Sequence, residues 1–283
     1  MRYALAADGV RIAFATAGQG LPVIRAPYSV FHHTQLEWRQ STFFERLCRH
    51  RMIVPFDPRG AGLSDHDATD YSLEARRLDI DAVASAAGLE RFAIHGIGSS
   101  GALAISYAVE HPDRVTHLIL DDAFIRGRAY LDSPQTAALA QLTGDWEVLT
   151  ENIAFASMGY GGEEARKHAE YLRTTTTPEA FRHWTAAQAH VDVTDLLPRV
   201  QAPTLILAHS GLRYVGPDQA REMAVHIPNA RLVMIDGKQG EVDAVLTAIA
   251  DFFGDEPGAS PRAAAAGAFR TVLFTDIVGH TEM

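Results

Sequence analysis

The sequence predicts an α/β fold: a mostly parallel sheet with helices on both faces and a helical cap inserted in the second half. Three observations carry this. Short apolar runs alternate with helix-period segments between residues 22 and 120, a pattern that right-handed crossovers turn into a parallel sheet covered on both sides. One junction, Ile94-His95-Gly96-Ile97-Gly98-Ser99-Ser100-Gly101-Ala102, passes from strand through a sharp glycine turn into a helix of small residues. From about Ala123 to Leu197 strand signals stop and helical windows take over, before alternation resumes.

Composition narrows the function. The chain has 283 residues, 47% hydrophobic and 21% charged, enough for one large α/β domain with a substantial core. A formal net charge of -10 disfavours nucleic acid or an anionic membrane as partner. The single cysteine, Cys48, excludes an intrachain disulfide and suits a reducing compartment. No charged-then-apolar leader and no run of membrane-spanning length is found, so the expected location is the cytoplasm.

In chain order, Tyr3 to Ala6 and Val10 to Ala17 flank an Asp8-Gly9 turn and read as a hairpin. A third strand spans Pro22 to Arg25, and Ala26 to Glu37 reads as a loop long enough to line a site. A helix from about Ser41 to Arg49 leads to strand Met52 to Phe56. The glycine-rich turn Asp57-Pro58-Arg59-Gly60-Ala61-Gly62-Leu63-Ser64-Asp65 follows. Ser72 is the expected N-cap of a helix stopped at Gly88. Strand Arg91 to His95, the glycine turn and helix Leu103 to Glu110 come next, with His111-Pro112 ending the helix. Val115 to Leu120 is a buried strand. Helical windows then carry Trp146, Phe155, Met158, Tyr160, Phe181 and Trp184, interrupted at Gly159 to Gly162 and Thr174 to Pro178. Strand Thr204 to Ala208, helix Asp218 to His226, strand Arg231 to Ile235 and helix Glu241 to Phe253 complete the pattern.

From Asp8 to about Phe253 the chain resembles the α/β-hydrolase superfamily. Asp57-x-Arg59-Gly60-x-Gly62-x-Ser64, Ala108-x-x-His111-Pro112-x-Arg114-Val115, Ala202-Pro203-Thr204-Leu205 and Ala230-Arg231-Leu232 match its turns and strand entries in order. The resemblance makes the glycine turn a nucleophile elbow, where residues flanking the nucleophile must be small, and places the nucleophile at Gly98. The acid position falls in His209-Ser210-Gly211-Leu212-Arg213, represented by Arg213. The histidine position falls in Asp236-Gly237-Lys238-Gln239-Gly240, represented by Gly240, and no histidine occurs between His226 and His280. All three triad positions are therefore degenerate. Losing triad members costs up to ~10⁶ in turnover.

Other residues of this region have two readings each. Ser99 and Ser100 are displaced nucleophiles, or caps of the elbow helix. Asp121 and Asp122 stand where some family members place the acid, with no histidine expected to reach them. His95 and His209, at strand ends, line a polar pocket or are hydrogen-bonded structural residues. Ala26, Pro27, His32 and His33 belong to the oxyanion-side loop. Trp146, Tyr160 and Trp184 pack the cap or touch a ligand. Gly98 widens the expected pocket, which suits a small apolar ligand with one polar end.

Beyond residue 254 the composition shifts. Residues 255–268 read as a Pro/Gly/Ala linker, and Arg270-Thr271-Val272-Leu273-Phe274-Thr275-Asp276-Ile277-Val278-Gly279 resembles the first strand of class III adenylate/guanylate cyclase domains. That resemblance implies that residues 269–283 begin a truncated cyclase domain, with Asp276 and the Ile277 carbonyl as metal ligands. It implies Mg²⁺ or Mn²⁺ and a homodimer for the complete protein.

The resulting expectation is a non-catalytic, ligand-sensing domain at 1–254, with a cap at about 123–197. It would need no cofactor of its own and would regulate a cyclase domain in cis that makes cyclic AMP from ATP. The alternatives are an active, esterase-like hydrolase using Ser99 or Ser100, a structural dimerisation module, and a cofactor-free lyase-like use of the pocket.

Overall fold

The computed structural model describes residues 1–38, 41–142, 144–158, 162–211, 217–237 and 242–254. Strands β1 (Arg2–Leu5) and β2 (Arg11–Phe14) form an antiparallel hairpin. The main sheet contains β3 (Leu21–Ala26), β4 (Arg51–Pro55), β5 (Phe92–Ile97), β6 (Val115–Asp121), β7 (Thr204–His209) and β8 (Ala230–Ile235). Its spatial order is β4-β3-β5-β6-β7-β8, and every pairing is parallel. All residues of β5 and β7 are buried, as a parallel sheet covered on both faces requires.

Alternation along these strands divides the core. Ile24, Ile94, Leu118, Leu120 and Ile206 join one cluster with α3 (Leu73–Ala86) and α4 (Ser100–Glu110). Val23, Ala93, Ile119, Leu205 and Leu207 face α2 (Thr42–Leu47) together with the C-terminal helix Val242–Phe253. On this second face the residues two further along β3, β5, β6 and β7 are Arg25, His95, Asp121 and His209. The C-terminal edge of the sheet therefore turns polar.

Capping follows the sequence expectation at α3, where the Ser72 hydroxyl accepts from Ala75 N at 3.2 Å and Gly88 takes φ +71° past the end. Two departures have local causes. The stretch Ala26 to Glu37 is not loop throughout: Thr34–Trp38 forms the short helix α1, whose first amide, Thr34 N, is held by Asp57 Oδ1 at 2.6 Å. Helix α4 starts at Ser100, and the Ser99 side chain makes no capping bond; its hydroxyl donates to the Tyr28 carbonyl instead.

The glycine-rich turn after β4 is a structural knot. Asp57 Oδ2 accepts from Leu63 N at 2.8 Å, and Ser64 Oγ donates to Asp57 O at 2.7 Å. Arg59, buried, binds Asp79 at 2.7 Å, Asp8 at 2.8 Å and the Ala75 carbonyl at 2.8 Å. A side chain at Gly62, whose φ is +59°, would meet Asp57 Cγ at 2.4 Å.

Between β6 and β7 lie helices α5 (Gly127–Leu131), α6 (Pro134–Ala140), α7 (Trp146–Met158), α8 (Gly162–Thr175) and α9 (Pro178–Gln188). They bind back to the turn after β4 through Gly62 N to Thr175 O at 2.7 Å and Thr176 Oγ1 to Gly60 O at 2.7 Å. After β7 comes α10 (Pro217–His226), and Val242–Phe253 is α11. No helix among the described residues is long and apolar enough to cross a membrane.

Candidate active site

The elbow is built by sterics. Gly98 sits at its apex with φ +54°, a conformation that favours glycine. Its amide donates to Asp121 O at 3.0 Å, and its carbonyl accepts from Gly101 N at 3.1 Å and Phe124 N at 3.3 Å. A Cβ at Gly96 would lie 2.8 Å from Ser100 O, and one at Gly101 would lie 2.3 Å from Ala123 Cβ. Those glycines let α4 lie against β5 and β6. A Cβ at Gly98 would meet nothing nearer than Tyr28 O at 3.9 Å. The apex has room for a side chain and carries none.

The neighbouring hydroxyls are committed elsewhere. Ser100 Oγ accepts from Ile97 N at 2.8 Å and lies within donor distance of Ile97 O at 3.0 Å and Ala26 O at 3.2 Å, fully buried. It fastens the strand-to-helix turn to the end of β3. Ser99, also buried, is anchored to the Tyr28 carbonyl. The capping role expected of both is corrected: each hydroxyl is drawn to a nearby backbone carbonyl of the turn or of the β3 loop.

Asp121 ends β6 and Asp122 follows it directly. Asp122, expected to lack a histidine, is paired with His209 at the end of β7. The Nδ1 nitrogen lies 2.8 Å from Asp122 Oδ2, and His209 N donates to Asp122 Oδ1 at 2.9 Å. Both residues are buried, and His209 Nε2 has no hydrogen-bond partner among the described residues. Asp122 is the one described non-glycine residue with positive φ, at +45°. Its amide bond to Leu207 O at 2.9 Å and its grip on His209 hold this strained geometry, of a kind that clusters at functional sites. Burial, followed by the charge of Asp121, pushes the Asp122 carboxyl above its usual range, against the pull of His209.

His95, also fully buried, points along the same face. Its Nε2 is 3.6 Å from Asp121 Oδ2, and among the described residues neither ring nitrogen nor Asp121 Oδ1 has a hydrogen-bond partner. Burial lowers the His95 pKa, the nearby Asp121 notwithstanding. Arg25, level with His95 in the sheet, stacks on Phe44 with its guanidinium carbon 4.7 Å from the ring centre.

Across the elbow, Ala26 and Pro27 end β3 and Tyr28 to His33 form the facing loop. Pro27 has no amide hydrogen to offer an oxyanion. His32 Nδ1 is 2.9 Å from Glu37 Oε1 and its Nε2 3.4 Å from Thr34 Oγ1. Glu37 also accepts from the Tyr171 hydroxyl of α8 at 2.5 Å and from His33 N at 3.3 Å. Burial alone would raise the Glu37 pKa. His32 and Tyr171 outweigh it and bring the carboxyl down to about 2.

The cap aromatics pack on the elbow-facing loop through Val30 and Phe31. Trp184 is buried with Val30, Ala61, Tyr71 and Ala180, and Trp146 stacks on Phe31 with ring centres 5.9 Å apart. Tyr160, Arg213, Gly240, Asp276 and Ile277 lie outside the described residues, as does the 255–268 linker.

The family model described as Alpha/beta hydrolase family matches residues 20–238, and the chain belongs to that family. N-formylmaleamate deformylase of Pseudomonas putida is 27% identical over 75% of this chain and 82% of its own. RutD of Caulobacter sp. strain K31, named provisionally as a carbamate hydrolase, is 27% identical over 64% of this chain and 70% of its own. The crystal structure of the enol-lactonase from Burkholderia xenovorans LB400 superposes with a TM-score of 0.75 at 19% identity, covering 89% of this chain and 100% of its own. These relatives correct the expectation of a non-catalytic sensing domain that regulates a cyclase: they are named as hydrolases, and none is named as a regulator of nucleotide cyclisation.

Proposed function

We propose that this alpha/beta hydrolase is an active enzyme with a rewired site, which hydrolyses a small acyl compound such as a formamide, carbamate or ester. The observation that carries the reading is the buried Asp122–His209 pair beside the elbow, Nδ1 to Oδ2 2.8 Å, with Nε2 left over. A carboxylate that orients an imidazole is the acid–base half of acyl-transfer chemistry. Here it stands one strand earlier than the family order, at the ends of β6 and β7. The hydrolase names of the sequence relatives point the same way.

The missing half is the nucleophile. Gly98 offers no side chain at the apex, where a Cβ would touch Tyr28 O at 3.9 Å without a clash, and the Ser99 oxygen is engaged with Tyr28 O. Water is therefore the attacking species. It is deprotonated at the Asp122–His209 pair and adds to the acyl carbon, and the leaving nitrogen or oxygen departs with a proton. Direct attack by water lacks the covalent step that divides a hard reaction into two easier ones, so turnover should be modest.

The test is a panel of formamide, carbamate, lactone and p-nitrophenyl ester substrates, run with the wild type and His209→Gln. Hydrolysis that falls by ~10²-fold or more in the variant, as loss of a general base does, supports the reading. No hydrolysis of any panel member, or equal rates for both proteins, overturns it. Stoichiometric labelling of Ser99 by a fluorophosphonate would replace water with Ser99 as the nucleophile.

A further inference from the structure

We infer that the C-terminal edge of β5, β6 and β7 is a binding site for a divalent transition-metal cation, Zn²⁺ foremost, built from His95, Asp121, Asp122 and His209. Ligand atoms of Asp121, Asp122 and His209 all lie within 4.8 Å of one another, with all three residues buried. Three donors on one ion at about 2.1 Å lie no more than about 3.6 Å apart, so a side-chain shift of roughly 1 Å would be needed to gather such a set.

A second observation, independent of that cluster, also points to a ligand. His95 is completely buried, has no hydrogen bond at either ring nitrogen, and directs Nε2 to 3.6 Å from Asp121 Oδ2. Buried polar groups are almost always satisfied, yet His95 Nδ1 and Nε2, Asp121 Oδ1 and His209 Nε2 are all left over within this one row. A cation would engage the atoms that face it and would offset two adjacent buried carboxylates. Arg25 shares this row, and its Nε and Nη1 are likewise buried without a hydrogen-bond partner among the described residues.

Imidazole with carboxylate suits zinc and its neighbours better than Ca²⁺ or Mg²⁺, which prefer oxygen donors throughout. Asp122 serves this site from the second sphere: a metal-bound histidine usually donates its other ring N–H to a carboxylate, and His209 has Nδ1 on Asp122 with Nε2 remaining for the ion, whose own donors are then His95, Asp121 and His209.

The catalytic consequence rests on the hydrolase reading and sharpens it. Water on such a cation would give up a proton to solvent near neutral pH, and the resulting hydroxide would supply the nucleophile that Gly98 lacks. His209 is then a ligand and no longer the proton acceptor. The hydroxide oxygen bonds to the acyl carbon, the bond to the leaving group breaks, and that group takes up a proton from solvent.

The full chain, stripped with EDTA and dialysed, should bind about one Zn²⁺ per chain by elemental analysis and calorimetry, with Mn²⁺ weaker and Ca²⁺ weaker still. Asp121→Asn and His95→Gln should each weaken Zn²⁺ binding at least tenfold, with circular dichroism confirming that they fold. Absence of stoichiometric binding by the wild type, or unchanged affinity in both folded variants, overturns the site. Hydrolysis that survives EDTA unchanged overturns the metal-bound nucleophile and leaves the hydrolase reading standing. Stoichiometric Zn²⁺ with no panel substrate turned over leaves the metal site standing and removes the hydrolase reading.

Discussion

Glu37 holds three groups around the site: His32 of the elbow-facing loop at 2.9 Å, Tyr171 of α8 at 2.5 Å, and the His33 amide of the same loop at 3.3 Å. Replacing it with Gln keeps the shape and removes the charge. The structure gives the size of the effect. The carboxyl falls from its ordinary 4.5 to about 2 in the folded protein. At about 1.4 kcal/mol per unit, reduced for the partly exposed side chain, the charged form adds ~2–3 kcal/mol to stability. The sign follows from linkage. A carboxyl whose folded pKa is depressed contributes fully above its unfolded value and loses that contribution as pH falls through the folded one. The difference in unfolding free energy between wild type and Glu37→Gln should thus be largest at pH 6–7, and most of it should vanish between about pH 4 and pH 2. Urea titrations of both proteins at pH 7, 5, 4 and 3 measure it, and the subtraction removes the other carboxylates common to both. A difference that stays constant from pH 7 to pH 3, or one below about 0.5 kcal/mol at pH 7, would refute the reasoning.

Three further outcomes follow from the geometry. Gly101→Val should lower stability by more than about 3 kcal/mol because of the 2.3 Å clash with Ala123 Cβ, whereas Gly98→Ala should cost only ~1–2 kcal/mol of backbone strain; thermal melts separate the two. Asp79→Asn should cost ~3 kcal/mol in urea unfolding, because Arg59 is buried and, among the described residues, keeps only Asp8 at 2.8 Å as an ionised partner. Asp122→Asn should leave hydrolysis at least ~10²-fold slower while lowering the melting temperature only slightly, since Asn can still accept from His209 N at the Oδ1 position.

Much of the fold could be read in the sequence because sterics act locally. The elbow needs no side chain at Gly96 or Gly101, where a Cβ would collide at 2.8 Å and 2.3 Å, and that requirement shows as glycine spacing. Ser72 and Gly88 mark the ends of α3 for equally local reasons. The short helix α1 was not legible, because its first amide depends on Asp57, 23 positions away. The Asp122–His209 pair escaped for the same kind of reason. Its partners are 87 positions apart, separated by the cap helices, and the family order directed attention to the loops after β7 and β8. One signal was available: acidic residues ending one strand and a histidine ending the next fall together at the C-terminal edge of a parallel sheet. The direction of His209 onto Asp122, and the left-handed backbone of Asp122 that permits it, are tertiary facts.

The central claim is that the Asp122–His209 pair performs acyl hydrolysis in a site whose apex has no side chain. The most direct measurement is kcat/KM of the wild type and His209→Gln on the best substrate of the acyl panel. The account predicts measurable wild-type turnover and a loss of ~10²-fold or more in His209→Gln. A wild type that turns over none of the panel, or a variant that keeps the full rate, would contradict it.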